Sequence, residues 1–167
     1  IAHAANTTKV SLYARYRSKD DLFRDVVTWA IRTPDWPEPE SQPPMTGDLR
    51  TDLLAIADAS IARALHPQMI ALSRLAIAQA TRFPELALHS DDSTEFSRRN
   101  AVRAVLEHHV AAGEFEIDDI DIVSSHFIAM VAGMPARQAS LGLIRDPDTQ
   151  RRRTEVAVDL LIRALRA

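Results

Sequence analysis

An all-α fold is what this sequence predicts, on three observations. Apolar residues recur at intervals of three and four along almost the whole chain, the period of a helix with one buried face. Prolines, glycines and short polar residues stand where helices begin and end. Strand signals are weak: there are only five Phe, two Trp and two Tyr, and no β-branched run alternates.

The elements follow in order. Ile1-Ala2-His3-Ala4-Ala5 reads as the end of a helix, closed by Asn6, a residue that tolerates the left-handed conformation. Thr7 and Thr8 can each cap a short helix carrying Lys9, Ser11, Tyr13, Ala14 and Arg15. Ser18, with Asp21 three residues later, caps a third helix in the capping-box pattern. That helix carries Leu22, Phe23, Val26, Val27, Ala30 and Ile31 at helical spacing and ends at Pro34. A helix of under ten residues held between two others is what a helix-turn-helix offers to a DNA major groove. Such a motif needs a first helix to prop the other two, and Ile1 is not an initiator methionine, so a segment upstream of Ile1 is expected.

Residues 34–47 hold Pro34, Pro37, Pro39, Pro43, Pro44 and Gly47, and read as an extended linker. A helix over 48–66 places Leu49, Leu53, Ile56, Ala57, Ile61, Ala64 and Leu65 on one broad face. Pro67 opens a helix from Met69 to Phe83 that is apolar all round, and is therefore expected to be central and buried; Pro84 closes it. A long helix over Ser93–Ala112 ends at Gly113. Asp118 is expected to cap the next helix, with Ile117 and Ile122 stapled across the cap, and Gly133 and Pro135 to bend it on its way to Leu141. Asp146-Pro147 begins the last helix, whose Val156, Ala157, Leu160, Leu161, Ala164 and Leu165 form an apolar stripe. That stripe packs either on the body or on the same helix of a second subunit. The expected division is 1–33 as a partial helix-turn-helix head and connecting helix, 34–47 as linker, and 48–167 as body.

Composition narrows the function. Residues 1–33 carry six cations (Lys9, Arg15, Arg17, Lys19, Arg24, Arg32) against Asp20, Asp21 and Asp25, a net +3; the whole chain carries −3, so the remainder carries −6. A basic end on an acidic body points to an anionic partner for the end alone. Cysteine is absent, which removes disulfides and thiolate metal sites and agrees with a cytoplasmic location. No run is long and apolar enough to span a membrane, and no membrane partner is expected. There is no P-loop, no dinucleotide glycine fingerprint and no Ser or Cys nucleophile motif, with Gly occurring only four times, so no enzyme and no cofactor is expected. Glu107-His108-His109 invites a metal reading, but adjacent side chains on a helix diverge by about 100°, so the two imidazoles do not share one ion. Arg151-Arg152-Arg153 reads as a solvated face or as ion-pair partners for nearby acids rather than as a basic patch for DNA.

The segment Ile1–Val27 resembles the second half of the DNA-binding domain of TetR-family repressors. The matching residues are Ala5-Asn6-Thr7-Thr8-Lys9, Tyr13, Tyr16, Ser18-Lys19 and Leu22-Phe23, with Asn6 in place of the usual Gly and Tyr16 in place of the usual Phe. Residues 67–135 are similar to the effector domain of the AefR-like subgroup, through Ala71-Leu72-Ser73-Arg74-Leu75-Ala76-Ile77-Ala78 and Arg82-Phe83-Pro84-Glu85-Leu86. The resemblance implies a homodimer on a palindromic double-stranded DNA operator, with an unidentified small-molecule effector in the helical body changing the spacing of the two heads. It implies a partial helix-turn-helix head followed by a helical-bundle ligand-binding and dimerisation domain, the dimer forming through the last two helices. The alternatives are a helical dimerisation module without DNA binding, and a helical-bundle enzyme.

Site residues follow from both readings. Thr7, Thr8, Lys9, Ser11, Tyr13, Ala14 and Arg15 surround the short helix; the resemblance puts Thr7, Tyr13, Ala14 and Arg15 against backbone or base edges. Lys19 stands at a helix N-terminus, where its cation opposes the helix dipole, a placement that makes sense if a phosphate docks there. Leu12, Tyr16, Leu22 and Phe23 are read as core. Met69, Leu72, Phe96, His108, His109, Phe127, Met130 and Met134 are the candidates for lining an effector pocket, ordinary core packing being the competing reading for each.

Overall fold

The computed structural model describes residues 1–32, 45–84 and 96–166, and every regular element among them is helical. The expected linker falls largely on residues 33–44, outside the described residues, as do residues 93–95 at the expected start of the long helix.

The head is built from local caps. Thr7 N–H donates to Ala2 O (3.0 Å) and Asn6 N–H to His3 O (3.2 Å), with Asn6 at φ 48°. That pair of bonds around one left-handed residue closes a helical turn. Helix α1 (Lys9–Arg15) is capped by Thr8, whose Oγ1 accepts from Ser11 N–H at 3.1 Å. Helix α2 (Lys19–Arg32) begins where Ser18 Oγ accepts from Asp21 N–H at 3.0 Å.

The body is organised around α3 (Leu49–Ala64). Asp48 caps it through Thr51 N–H (2.7 Å). The buried Asp52 carboxylate ties down the entering chain, accepting from Thr46 N–H (2.9 Å), Thr46 Oγ1 (2.7 Å) and Gly47 N–H (3.3 Å). A buried carboxylate is tolerated when it is hydrogen-bonded in this way. Leu53, Ile56 and Ala57 of α3 are almost wholly buried against Val102 and Leu106 of α5 (Phe96–Ala111), Phe127 of α6 (Ile120–Ile128), Val131, and Val158 of α8 (Pro147–Leu165).

Helix α4 (Pro67–Gln79) overturns one expectation. None of its residues is buried, and Ile77 is 68% exposed. The central helix is α3; α4 lies across its end and packs on α3 and on α7 (Met134–Ser140). Its apolar side chains are spread over several half-buried contacts, which gives the all-round pattern of a buried helix without burial. It also ends at Gln79, so Phe83 lies in the following turn, with its N–H on Gln79 O (2.8 Å).

Two further details differ. The cap of α6 is Asp119, accepting from Ile122 N–H (2.9 Å), and Asp118 is exposed. This register turns Ile117, Ile120 and Val123 to the core and leaves Ile122 outside, so no staple joins Ile117 to Ile122. The α8 stripe also divides: Ala157 is buried, beside Val158 from outside the stripe, Leu161 and Leu165 pack on the core, and Val156 and Leu160 face out. The expected bend at Gly133 and Pro135 takes the form of a π-helical turn over Ala129–Gly133 leading into α7. Proline lacks the N–H that an α-helix would use and crowds the carbonyl four residues earlier, and the wider turn absorbs both. No described helix is long and apolar enough to cross a membrane.

Candidate nucleic-acid interface and its link to the body

Helix α1 has no buried residue. Leu12 and Tyr16 turn part of their surface inward, while Lys9, Val10, Ser11, Tyr13, Ala14 and Arg15 are exposed; Thr7 is half-buried. Thr8 Oγ1 and Ser11 Oγ lie 2.9 Å apart, so the two hydroxyls hold each other as well as the cap. Arg15 stacks over the Tyr16 ring at 5.8 Å. Lys19, the first residue of α2, is exposed beside the cap of that helix. The structure thus brings seven of the eight predicted contact residues together on one short helix and its entry, with Lys19 at the start of the next.

The charges sort by side. The aspartates of the α2 first turn are engaged: Asp20 receives Arg82 Nη2 at 2.7 and 2.9 Å, and Asp21 receives Arg24 at 3.2 Å. Among the described residues no carboxylate pairs with Lys9, Arg15, Arg17 or Lys19. Asp20 therefore serves the junction with the body and Asp21 its own helix, while Lys9, Arg15, Arg17 and Lys19 face solvent. Val10, 80% exposed beside Lys9, was not among the predicted contacts. A large apolar side chain left outside on such a helix is suited to a thymine methyl group; the signal was its position one residue after Lys9, off the face of Leu12.

Between head and body lies a second, small core. Val27 and Phe83 are buried in it, with Phe23 and Leu75 packed around them. The Phe23 and Phe83 rings are 4.9 Å apart, and Arg24 and Arg82 lie over the Phe83 ring at 5.1 and 5.4 Å. Sequence reading placed Phe23 in a core without its partner, because the partner lies 60 residues on, in a turn rather than in the predicted helix. Arg74 joins the same helix α4 to the far side of the body, donating from Nε to Ser140 O (2.8 Å) and from Nη2 to Ala139 O (3.3 Å) at the end of α7.

The candidate effector residues are not brought together. Phe127 is sealed in the main core, and Met69 and Leu72 are half-buried on α4. His108 is exposed, and Met130 and Met134 are 44% and 49% exposed on the outer surface. Phe96 begins α5, and its side chain lies outside the described residues. A cleft of about 600 Å³ opens elsewhere, beside the N-terminal end of α3, and of the histidine pair only His109 lines it. Among the described residues no group of three or more metal-ligating side chains forms a metal site.

Residues 51–166 match the model of the C-terminal domain of AefR-like transcriptional repressors. No curated protein matches the chain. Among solved structures, a TetR transcriptional regulator from Agrobacterium tumefaciens superposes with a TM-score of 0.77 at 23% identity, covering 98% of this chain and 80% of that one. The flavonoid-responsive regulator FrrA gives 0.73 at 24% identity, covering 98% and 83%. A TetR-family regulator from Mesorhizobium loti gives 0.67 at 20% identity, with the same coverage. At these identities the likeness shows the fold.

Proposed function

This chain belongs to the AefR-like branch of the TetR-family transcriptional regulators, and from that premise we propose that it is a homodimeric repressor, released from a palindromic operator by a small molecule. The observation that carries the DNA-binding reading is the sorting of charge on the head: Lys9, Arg15, Arg17 and Lys19 outward, Asp20 and Asp21 held by arginines. In this reading Thr7, Thr8, Ser11 and Lys19 fix the register on phosphates, and Val10, Tyr13, Ala14 and Arg15 meet base edges or the sugar-phosphate rim.

The link between sites runs through α4. Its trailing turn carries Phe83 and Arg82 onto α2, and its Arg74 holds the end of α7. An effector lodged between α4 and the bundle, against the half-buried Met69 and Leu72, would shift α4 and with it the angle of the head. Such an effector has to bind the off-DNA form more tightly, and operator has to weaken effector binding by the same factor. Met130 and Met134 belong, in this reading, to the subunit interface rather than to the effector site. Because FrrA is flavonoid-responsive, a flavonoid panel is the first probe set for the effector.

The test is a mobility shift on the DNA upstream of the gene, across a salt series. A discrete complex whose affinity falls steeply with salt, through release of counterions, is expected. Absence of any duplex binding at low salt, or equal affinity for every sequence, would reject the operator-binding reading.

A further inference from the structure

The cleft beside the N-terminal end of α3 belongs neither to the head nor to the α4 region. Helix α3 has 16 residues, roughly 24 Å of length, so the cleft stands about a helix length from the corner where α3 turns into α4. Three helix ends meet there: the start of α3 with its Asp48 cap, the close of α5 with its Gly113 turn, and the last turns of α8. The apolar part of the lining is the half-buried Ile162, with Leu49 beneath it at 4% exposure. One wall is the His109 imidazole, 2% exposed, stacked on Phe115 at 6.2 Å.

The acids in this cleft are engaged. Asp159 receives Arg50 Nε at 2.8 Å, Glu114 Oε1 lies 2.8 Å from His109 Nδ1, and Asp48 is occupied with the N–H of Thr51. Arg50, Arg163 and Arg166 equal these three carboxylates in number, and only Arg50 is spent on one of them. Arg163 uses its Nε on Asp159 O (3.2 Å), and among the described residues no carboxylate engages its terminal nitrogens or Arg166. A cation near a helix C-terminus is favourable by itself. That accounts for two arginines on α8, and not for their opening onto a concave surface with an apolar floor.

We propose that this cleft binds a small organic carboxylate, its anion held by Arg163 and Arg166 and its hydrocarbon part laid on Leu49 and Ile162. A guanidinium presents parallel N–H donors that match a carboxylate, and charge-assisted bonds of this kind are the strong ones. A volume of about 600 Å³ falls in the range of small-molecule sites. A ligand in this position bridges α3, α5 and α8 and adds to the stability of the bundle as the logarithm of its concentration once that exceeds Kd.

Benzoate is the probe, titrated into the full chain by calorimetry and followed through methyl resonances. Saturable binding with shifts at Leu49 and Ile162 is expected. The variant Arg163→Gln/Arg166→Gln, altered only at exposed positions, should weaken it by about tenfold or more, the loss of two charge-assisted hydrogen bonds. Methyl benzoate, which lacks the charge, should not compete. No benzoate binding up to its solubility, equal affinity in the double variant, or shifts confined to Met69 and Leu72 would each overturn the proposal. Inorganic phosphate displacing benzoate at equal concentration would overturn the assignment to organic carboxylates.

Discussion

Lys19 and Arg15 are both exposed cations of the head, and their surroundings assign them different tasks. Lys19 stands on the first turn of α2, where free backbone N–H groups and the dipole already favour an anion. Arg15 ends α1 and lies along Tyr16, on the element expected in the groove. Lys19→Ala should therefore weaken binding to all duplexes alike and reduce the salt slope by about one. Arg15→Ala should cost more on operator than on random sequence. Equal affinities of Lys19→Ala and parent across a salt series would remove the phosphate contact. A second residue-level prediction concerns the caps Asp48 and Asp146. Hydrogen bonds from Thr51 hold the Asp48 carboxyl below its usual range, and those from Thr149 do the same for Asp146. The unfolded chain takes up protons first as pH falls. The stabilisation is thus complete above the ordinary carboxylate pKa of about 4 and is lost as pH drops through the lower folded-state values. Asp48→Asn/Asp146→Asn keeps the capping oxygen and removes the titration. Its denaturation midpoint should match the parent near neutrality and fall less steeply in acid. Superimposable acid limbs would count against the assignment.

The junction of α2 with the turn after α4 combines an ion pair and a ring contact, and magnitudes separate them. The Arg82 side chain of the Asp20 pair is 65% exposed, so that pair contributes well under about 1 kcal/mol. Phe83 is buried between Phe23 and Val27, and removing a buried ring costs on the order of 3 kcal/mol. Phe83→Ala should loosen the head: amide exchange in α2 rises, exchange in α3 stays unchanged, and operator affinity falls. Arg82→Ala should change exchange little. If the two variants behave alike, packing does not hold the junction. How much was legible in the sequence follows the same division between near and far. The turn at Asn6, the Thr8 and Ser18 caps, the Gly113 close and the Asp146-Pro147 start depend on residues within one turn, and each stands where the sequence put it. The burial of α4 was misread because an apolar pattern says which residues avoid water, and not how many neighbours share the task. Asp118 and Asp119 are equally able to cap, and only the packing of Ile120 and Phe127 on the core chooses between them.

At the scale of the whole molecule, periodicity identifies an apolar face without saying what covers it. Met130 and Met134 were legible as apolar positions and were read toward a pocket inside the body; they stand outside it, on the π turn and α7, with Ile122 on α6. The π turn packs against α8, whose Val156 and Leu160 also face out. Five large apolar side chains, spread over α6, the π turn, α7 and α8, are the kind of exposure that a soluble monomer seldom keeps open. A two-fold axis through that surface would pair α6–α7 and α8 with their own copies, the self-complementary arrangement of most homodimers. It would also set two heads at a fixed separation, which a palindrome with half-sites about one DNA turn or a multiple apart would match. Val156→Asp/Leu160→Asp places charge in that contact without touching the buried Ala157 and Val158 on the other side of α8. The variant should keep its helical circular dichroism, run as a monomer in light scattering, and lose operator affinity far beyond any loss in body stability, since one head alone binds one half-site. A variant that stays dimeric and binds operator as the parent does would place the subunit interface on another face.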